Sequence, residues 1–200
     1  MAKDSSLYNN HGTIYGATWT DGKFGKALSF DGSDDYVDLG DILDMGSSDF
    51  TISAWIETTN SSGSVVCKYW GVNYQRSYWF YVTSDKLKFV SSKDGVSASN
   101  VEGNTVVTDG KWHHVAVVKE GTTATLYLDG SPDGSGAAYS SLYNNPNPLV
   151  IGIAKKTDGT LGTPFNGLID EVRIYKRALS EGEIQMLYYN RIGAVPSKVI

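Results

Sequence analysis

Dipeptides that build tight turns recur along the chain at short intervals: Asp21-Gly22, Asp31-Gly32, Asp94-Gly95, Asp109-Gly110, Glu120-Gly121, Asp129-Gly130, Asp158-Gly159 and Asn166-Gly167. Gly after Asp or Asn accepts the positive φ that hairpin turns demand, so such punctuation favours short antiparallel strands over helices. The segments between the turns agree. Strands are expected over Gly12 to Gly16, Ala27 to Phe30, Tyr36 to Leu39, Phe50 to Glu57, Ser64 to Tyr69 and Ser77 to Thr83. The series continues with Lys86 to Ser91, Trp112 to Lys119, Thr123 to Asp129, Leu149 to Ile153 and Phe165 to Tyr175. In Phe50 to Glu57, Phe50, Ile52, Ala54 and Ile56 share one face and Thr51, Ser53, Trp55 and Glu57 the other, the pattern of a half-buried strand. Lys119 to Asp129 reads as a hairpin turning at Glu120-Gly121, with Leu126 and Leu128 inward and Tyr127 outward.

One helix interrupts this pattern. Ser180-Glu-Gly-Glu183 forms a capping box, Leu179 can staple onto Ile184, and Ile184, Leu187 and Tyr188 make an apolar stripe ended by Gly193. It is too short for a second domain and is expected to pack on the sandwich. Two hundred residues suit a single all-β domain, and 40% hydrophobic residues suffice for its core. The hexapeptide Ser-Ser-Leu-Tyr-Asn-Asn at 5–10 and 140–145 has unmatched flanks and reads as two loops, not a repeat.

A net charge of −5 and the lack of any Lys/Arg block argue against a nucleic-acid surface; the nearest approach is Lys155-Lys156. No apolar run approaches the ~20 residues that span a bilayer, and the N-terminus has no signal-peptide core. Its abrupt entry into globular sequence suggests a domain cut from a longer protein, so native location is not read from it. The single cysteine, Cys67, rules out an intramolecular disulfide and sits in an apolar run that buries it.

Phe165-Asn-Gly-Leu-Ile-Asp-Glu-Val-Arg-Ile-Tyr-Lys-Arg-Ala-Leu-Ser180 with Glu183-Ile184 resembles the closing signature of laminin-G-like jelly rolls of the concanavalin A-like superfamily. Asn10 to Gly16 and Gly22 to Asp38 look like the family's opening; Phe50 to Trp55, Asp109 to Ala116 and Leu126 to Gly130 look like its middle. The resemblance runs over about residues 5–192 of one domain spanning 1–200. It implies two curved antiparallel sheets, and for function carbohydrate binding, adhesion or service beside hydrolases, so the site must be argued separately.

Three candidate sites stand out. Asp31-Gly-Ser-Asp-Asp35 concentrates carboxylates in one turn, as Ca²⁺ requires, though Tyr36 and Ile42 exclude an EF-hand. The resemblance implies a structural calcium between the opening turn and the closing strand, here Asp31 and Asp170, to which the turn itself adds Ser33 and Asp35 as candidate ligands; the alternative is an ordinary solvated Asp-Gly turn. The insertion Lys68 to Arg76 offers Tyr69, Trp70, Asn73, Tyr74 and Arg76, rings to stack on sugar C–H faces beside amide and guanidinium donors; alternatively its rings pin the loop to the sandwich rim. The histidines offer least: His113 and His114 are strand neighbours, hence on opposite faces, and His11 stands alone. Glucanases of the superfamily align alternating acids on a strand, whereas Asp170-Glu171 are adjacent and Glu181 and Glu183 belong to a helix cap.

The reading is therefore an all-β, two-sheet antiparallel jelly roll with one C-terminal helix, acting as a non-catalytic carbohydrate-binding module stabilised by calcium. The alternatives are an adhesion or spacer domain with protein partners and, third, a polysaccharide hydrolase. The expected partner is a glycan, with no membrane insertion, a monomeric domain and an extracellular or cell-surface location.

Overall fold

The computed structural model describes residues 1–69, 76–155 and 160–189. The strands are β1 (Thr13–Tyr15), β2 (Thr18–Asp21), β3 (Lys26–Asp31), β4 (Tyr36–Asp38), β5 (Phe50–Glu57), β6 (Ser62–Tyr69), β7 (Arg76–Thr83) and β8 (Lys86–Ser91). They continue with β9 (Ser99–Val106), β10 (Trp112–Glu120), β11 (Thr123–Leu128), β12 (Ser131–Ala137), β13 (Val150–Ile151), β14 (Ala154–Lys155), β15 (Leu161–Gly162) and β16 (Asn166–Tyr175), followed by helix α1 (Glu181–Tyr188). Two seven-stranded sheets stack face to face, one in the order β1-β4-β13-β6-β7-β8-β9 and the other β12-β11-β10-β5-β16-β3-β2, every pairing antiparallel. β14 and β15 form a small separate hairpin.

The core lies where the inward faces meet. β5 contributes Phe50, Ile52, Ala54 and Ile56, as its alternation predicts, and the opposing sheet contributes Tyr78, Phe80, Val82, Leu87 and Phe89. Leu126 joins this core while Tyr127 faces the other way, as expected. Two lysines with fully buried side chains anchor long loops: Lys68 Nζ meets Asp41 at 2.6 Å, and Lys119 Nζ reaches Asp49 and the carbonyls of Ser48 and Ser140.

Within the two large sheets, three strands were not expected from the sequence: β2, β9 and β12. Each is a sheet edge. An edge strand pairs on one side only and faces water, so it tolerates the polar, Gly- and Pro-bearing residues of Ser131–Ala137 that argue against a central strand. β12 occupies the first part of the stretch from Asp129 to Pro148, where Asp129 and Gly130, both at positive φ, make a tight β11–β12 turn. β5 is not half-buried as expected but buried on both faces, because its second face lies beneath α1 and the β2–β3 turn.

The helix forms as its cap predicts: Ser180 Oγ accepts from Glu183 N–H and the Glu183 carboxylate accepts from Ser180 N–H. Leu179, Ile184 and Leu187 bury against Ala116, Val118, Tyr127 and Tyr175 on the outer face of the β5 sheet. The expected stop at Gly193 lies outside the described residues.

Candidate functional site: an aromatic face and an acidic turn

Strand β7 alternates two sets of large side chains. Tyr78, Phe80 and Val82 enter the core, so Trp79 and Tyr81 must stand on the outer face of the β7 sheet, which no described helix covers. Trp79 stacks on Tyr81 with centroids 3.8 Å apart and planes at 11°, and on Tyr69 of β6 at 5.5 Å and 27°. The indole Nε1 donates to Ser64 Oγ at 3.0 Å, fixing the ring. The Arg76 guanidinium lies 5.9 Å from the centre of the Tyr69 ring. Burial raises the Tyr69 phenol and pushes Tyr81 up to about 12, so both hydroxyls stay protonated near neutral pH. Ala154 and Leu161 of the β14–β15 hairpin pack on the same cluster.

A second ring pair lies on the same sheet. Tyr15 and Tyr36, opposite one another across β1 and β4, stack at 4.6 Å and 15°. Lys155 Nζ sits 4.7 Å over the Tyr36 ring and bonds Asp38 at 2.6 Å. Burial works against the ammonium, but its bonds to Asp38 and Tyr36 outweigh this and raise its pKa.

Of the loop residues singled out in the sequence, Trp70, Asn73 and Tyr74 lie outside the described residues. Tyr69 and Arg76 sit at its two stems, beside Trp79 and Tyr81, and a second insertion, at 154–164, brings Ala154 and Leu161 to the same cluster. Trp79, Tyr81, Tyr15, Tyr36 and Lys155 were missed as a group. For Trp79 and Tyr81 the signal was present: their period-two spacing against Tyr78, Phe80 and Val82 assigns them to the outer face.

The acidic turn assembles differently from the resemblance's expectation. Asp31, Asp34 and Asp35 each bring a carboxylate oxygen within 4.8 Å of the others, so Asp34 joins the set in place of Asp170. The pairing of Asp31 with Asp170 is not formed: Asp31 lies opposite Asn166 on β16, placing Asp170 four residues, about 13 Å, along the strand. Asp170 instead accepts N–H bonds from Phe24 at 2.9 Å and Glu171 at 2.7 Å, holding the β2–β3 turn, while burial raises its pKa. Ser33 donates its N–H to Asp31 and is exposed. Asp35 is buried against Gly16, where any side chain would collide with its carboxylate. Burial, then the charges of Asp31 and Asp34, outweigh the Asp31 N–H bond and raise the Asp35 pKa. Three acids crowded in one turn, one of them buried, fit a hard divalent cation that would offset their repulsion, with Asp31, Asp34 and Asp35 as its holders.

The remaining candidates do not form sites. His113 lies between Asp129 at 2.9 Å and Asp109 at 3.1 Å, and His114 is buried on the other face beside Trp55. Trp55 is covered by Phe24, by Lys23 at 4.6 Å and by Tyr188. Cys67 is buried and burial pushes its thiol up, so it is a core residue and not a nucleophile.

Fold and surface together define a jelly-roll sandwich with one face closed by a helix and the other carrying stacked aromatic rings. The chain belongs to the laminin-G family of the concanavalin A-like lectin/glucanases superfamily, whose family model matches residues 31–185. It is 30% identical over 150 residues to adhesion G-protein coupled receptor V1 of Danio rerio, an alignment covering 70% of this chain and 2% of the receptor. Among solved structures, the binding domain of Paraclostridial Mosquitocidal Protein 1 superposes with a TM-score of 0.73 at 18% identity, covering 95% of this chain and 49% of that one. Domain 4 of AbnA, a GH43 extracellular arabinanase from Geobacillus stearothermophilus in complex with arabinotriose, superposes at 0.71 and 21% identity, covering 92% and 90%. At those identities the two structures establish the shared fold.

Proposed function

We propose that the chain is a non-catalytic binding module for a glycan, held at the Tyr69–Trp79–Tyr81 cluster between the stems of the two insertions, with calcium at Asp31, Asp34 and Asp35 stiffening the scaffold. The observation that carries this reading is the row of three stacked rings beside Arg76, on the sheet that no described helix covers. Stacked rings offer apolar faces to sugar C–H groups, while protonated phenols and a guanidinium donate to hydroxyls. The acids that could serve hydrolysis are engaged otherwise: Asp170 holds a turn and Glu171 pairs with Arg173. An extracellular or cell-surface location belongs to the same proposal; no described helix is long and apolar enough to cross a membrane.

A glycan array tests it. Tyr81→Ala and Arg76→Ala, each confirmed folded by circular dichroism, are expected to weaken the array signal about tenfold, the value of one aromatic or charge-assisted contact. Unchanged binding in both variants refutes the site. The adhesion-receptor relative favours a second reading, adhesion through a protein partner. A blank array from the folded parent chain, with a purified protein ligand captured through the same face, would establish that alternative.

A further inference from the structure

A cleft lies elsewhere, at the side of the sandwich where β2 and β1 end their sheets. It encloses about 210 Å³. Its floor is the margin of the core, Leu28, Phe30, Val37 and Ile151, and one wall is the indole of Trp19, which is 53% exposed. Lys3, Lys26, whose ammonium bonds Asp21 at 2.6 Å, and Glu171, whose carboxylate Oε2 pairs with Arg173, line its edge and give it both signs of charge. Trp19 pairs with Leu28 across β2 and β3, so its ring leans over the mouth instead of the outer sheet face.

The back wall is unusual. Between Asp170 and Arg173, β16 is bulged against β5, and Glu171 there takes φ +50. A non-glycine residue held in that region is strained, and such strain and bulging concentrate where a side chain is re-aimed toward a ligand. The bulge sends Val172 into the opening and Glu171 to its rim.

We propose that this cleft is a binding site for a single neutral pyranose ring, the terminal residue of a saccharide, separate from the Tyr69–Trp79–Tyr81 cluster. At about 210 Å³ it falls below the ~300–1,000 Å³ of sites for drug-sized ligands and takes one ring, not a chain. A wholly apolar guest would bury against Trp19 but desolvate Lys3, Lys26 and Glu171 without replacing their hydrogen bonds. A charged guest meets both signs at the rim. A pyranose satisfies both halves, its C–H face on the indole and its hydroxyls toward ammonium donors and a carboxylate acceptor. The site stands whether or not the aromatic cluster binds glycan.

Two-dimensional NMR of the ¹⁵N-labelled chain tests this with methyl β-D-glucopyranoside and methyl β-D-galactopyranoside, and with benzyl alcohol as an apolar control. At least one glycoside is expected to shift the Trp19 indole N–H and the Glu171 and Val172 amides saturably. Trp19→Ala, a surface change that leaves the core intact, should weaken binding roughly tenfold as read from the two amides, while Tyr81→Ala leaves it unaltered. The proposal is overturned by no shift from either glycoside, by binding undiminished in Trp19→Ala, or by shifts from benzyl alcohol alone. Loss of array binding in Tyr81→Ala with the cleft shifts retained would separate the two sites.

Discussion

His113 and His114 are adjacent in β10 yet answer pH in opposite directions. The hydrogen bond to Asp129 outweighs partial burial and raises the His113 pKa. Its contribution to stability is therefore complete below about pH 6.5, the ordinary imidazole value, and is lost as pH climbs through the higher folded value. Burial drives His114 down to about 4, with Arg173 adding to the effect against the pull of Asp129. Below about pH 6.5 the unfolded chain takes up a proton there that the folded chain refuses, so stability falls as pH drops toward 4. Melting temperatures taken from pH 4 to 9 should thus decline on both sides of about pH 6.5. His113→Asn should flatten the alkaline decline and His114→Gln the acid one; a His113→Asn profile parallel to that of the parent would show that the Asp109–His113–Asp129 bridge contributes nothing.

At the level of elements, legibility followed sheet position. Central strands carry strong apolar signals, alternating in β5 and continuous in β7 (Tyr78 to Val82) and β10 (Val115 to Val118), because two neighbouring strands and the core hold them, and the sequence announced them. The edges β2, β9 and β12 answer to a single neighbour, and their residues carry little pattern. Trp19 went unplaced for that reason: it rides on β2. Likewise Asp31 and Asp170 could be judged partners only until strand register, which no local spacing encodes, set them apart. The helix was readable because its signal is local, a cap within four residues. Ser180→Ala should cost about 1 kcal/mol, read as a lower urea midpoint with an unchanged slope. A shift under about 0.3 kcal/mol would mean that Leu179, Ile184 and Leu187 hold α1 without help from the cap.

For the whole molecule, a cation at the acidic turn would act through mass action on the folded state. Calcium a hundredfold above its Kd should add about 2.7 kcal/mol, which in a protein of this size raises Tm by roughly 5–11 °C. Differential scanning calorimetry with calcium and with EDTA reads this directly, and Asp35→Asn should abolish the increment; identical melts in calcium and EDTA would remove calcium from the account. The topology has its own consequence. β16, late in the chain, fills the slot between β3 and β5. A nascent polypeptide leaving the ribosome must hold β3 and β5 apart, each with an open flank, until residues 166–175 emerge. A truncation upstream of that strand would leave a split sheet with two adhesive borders, a species for chaperones and proteases instead of a smaller working domain.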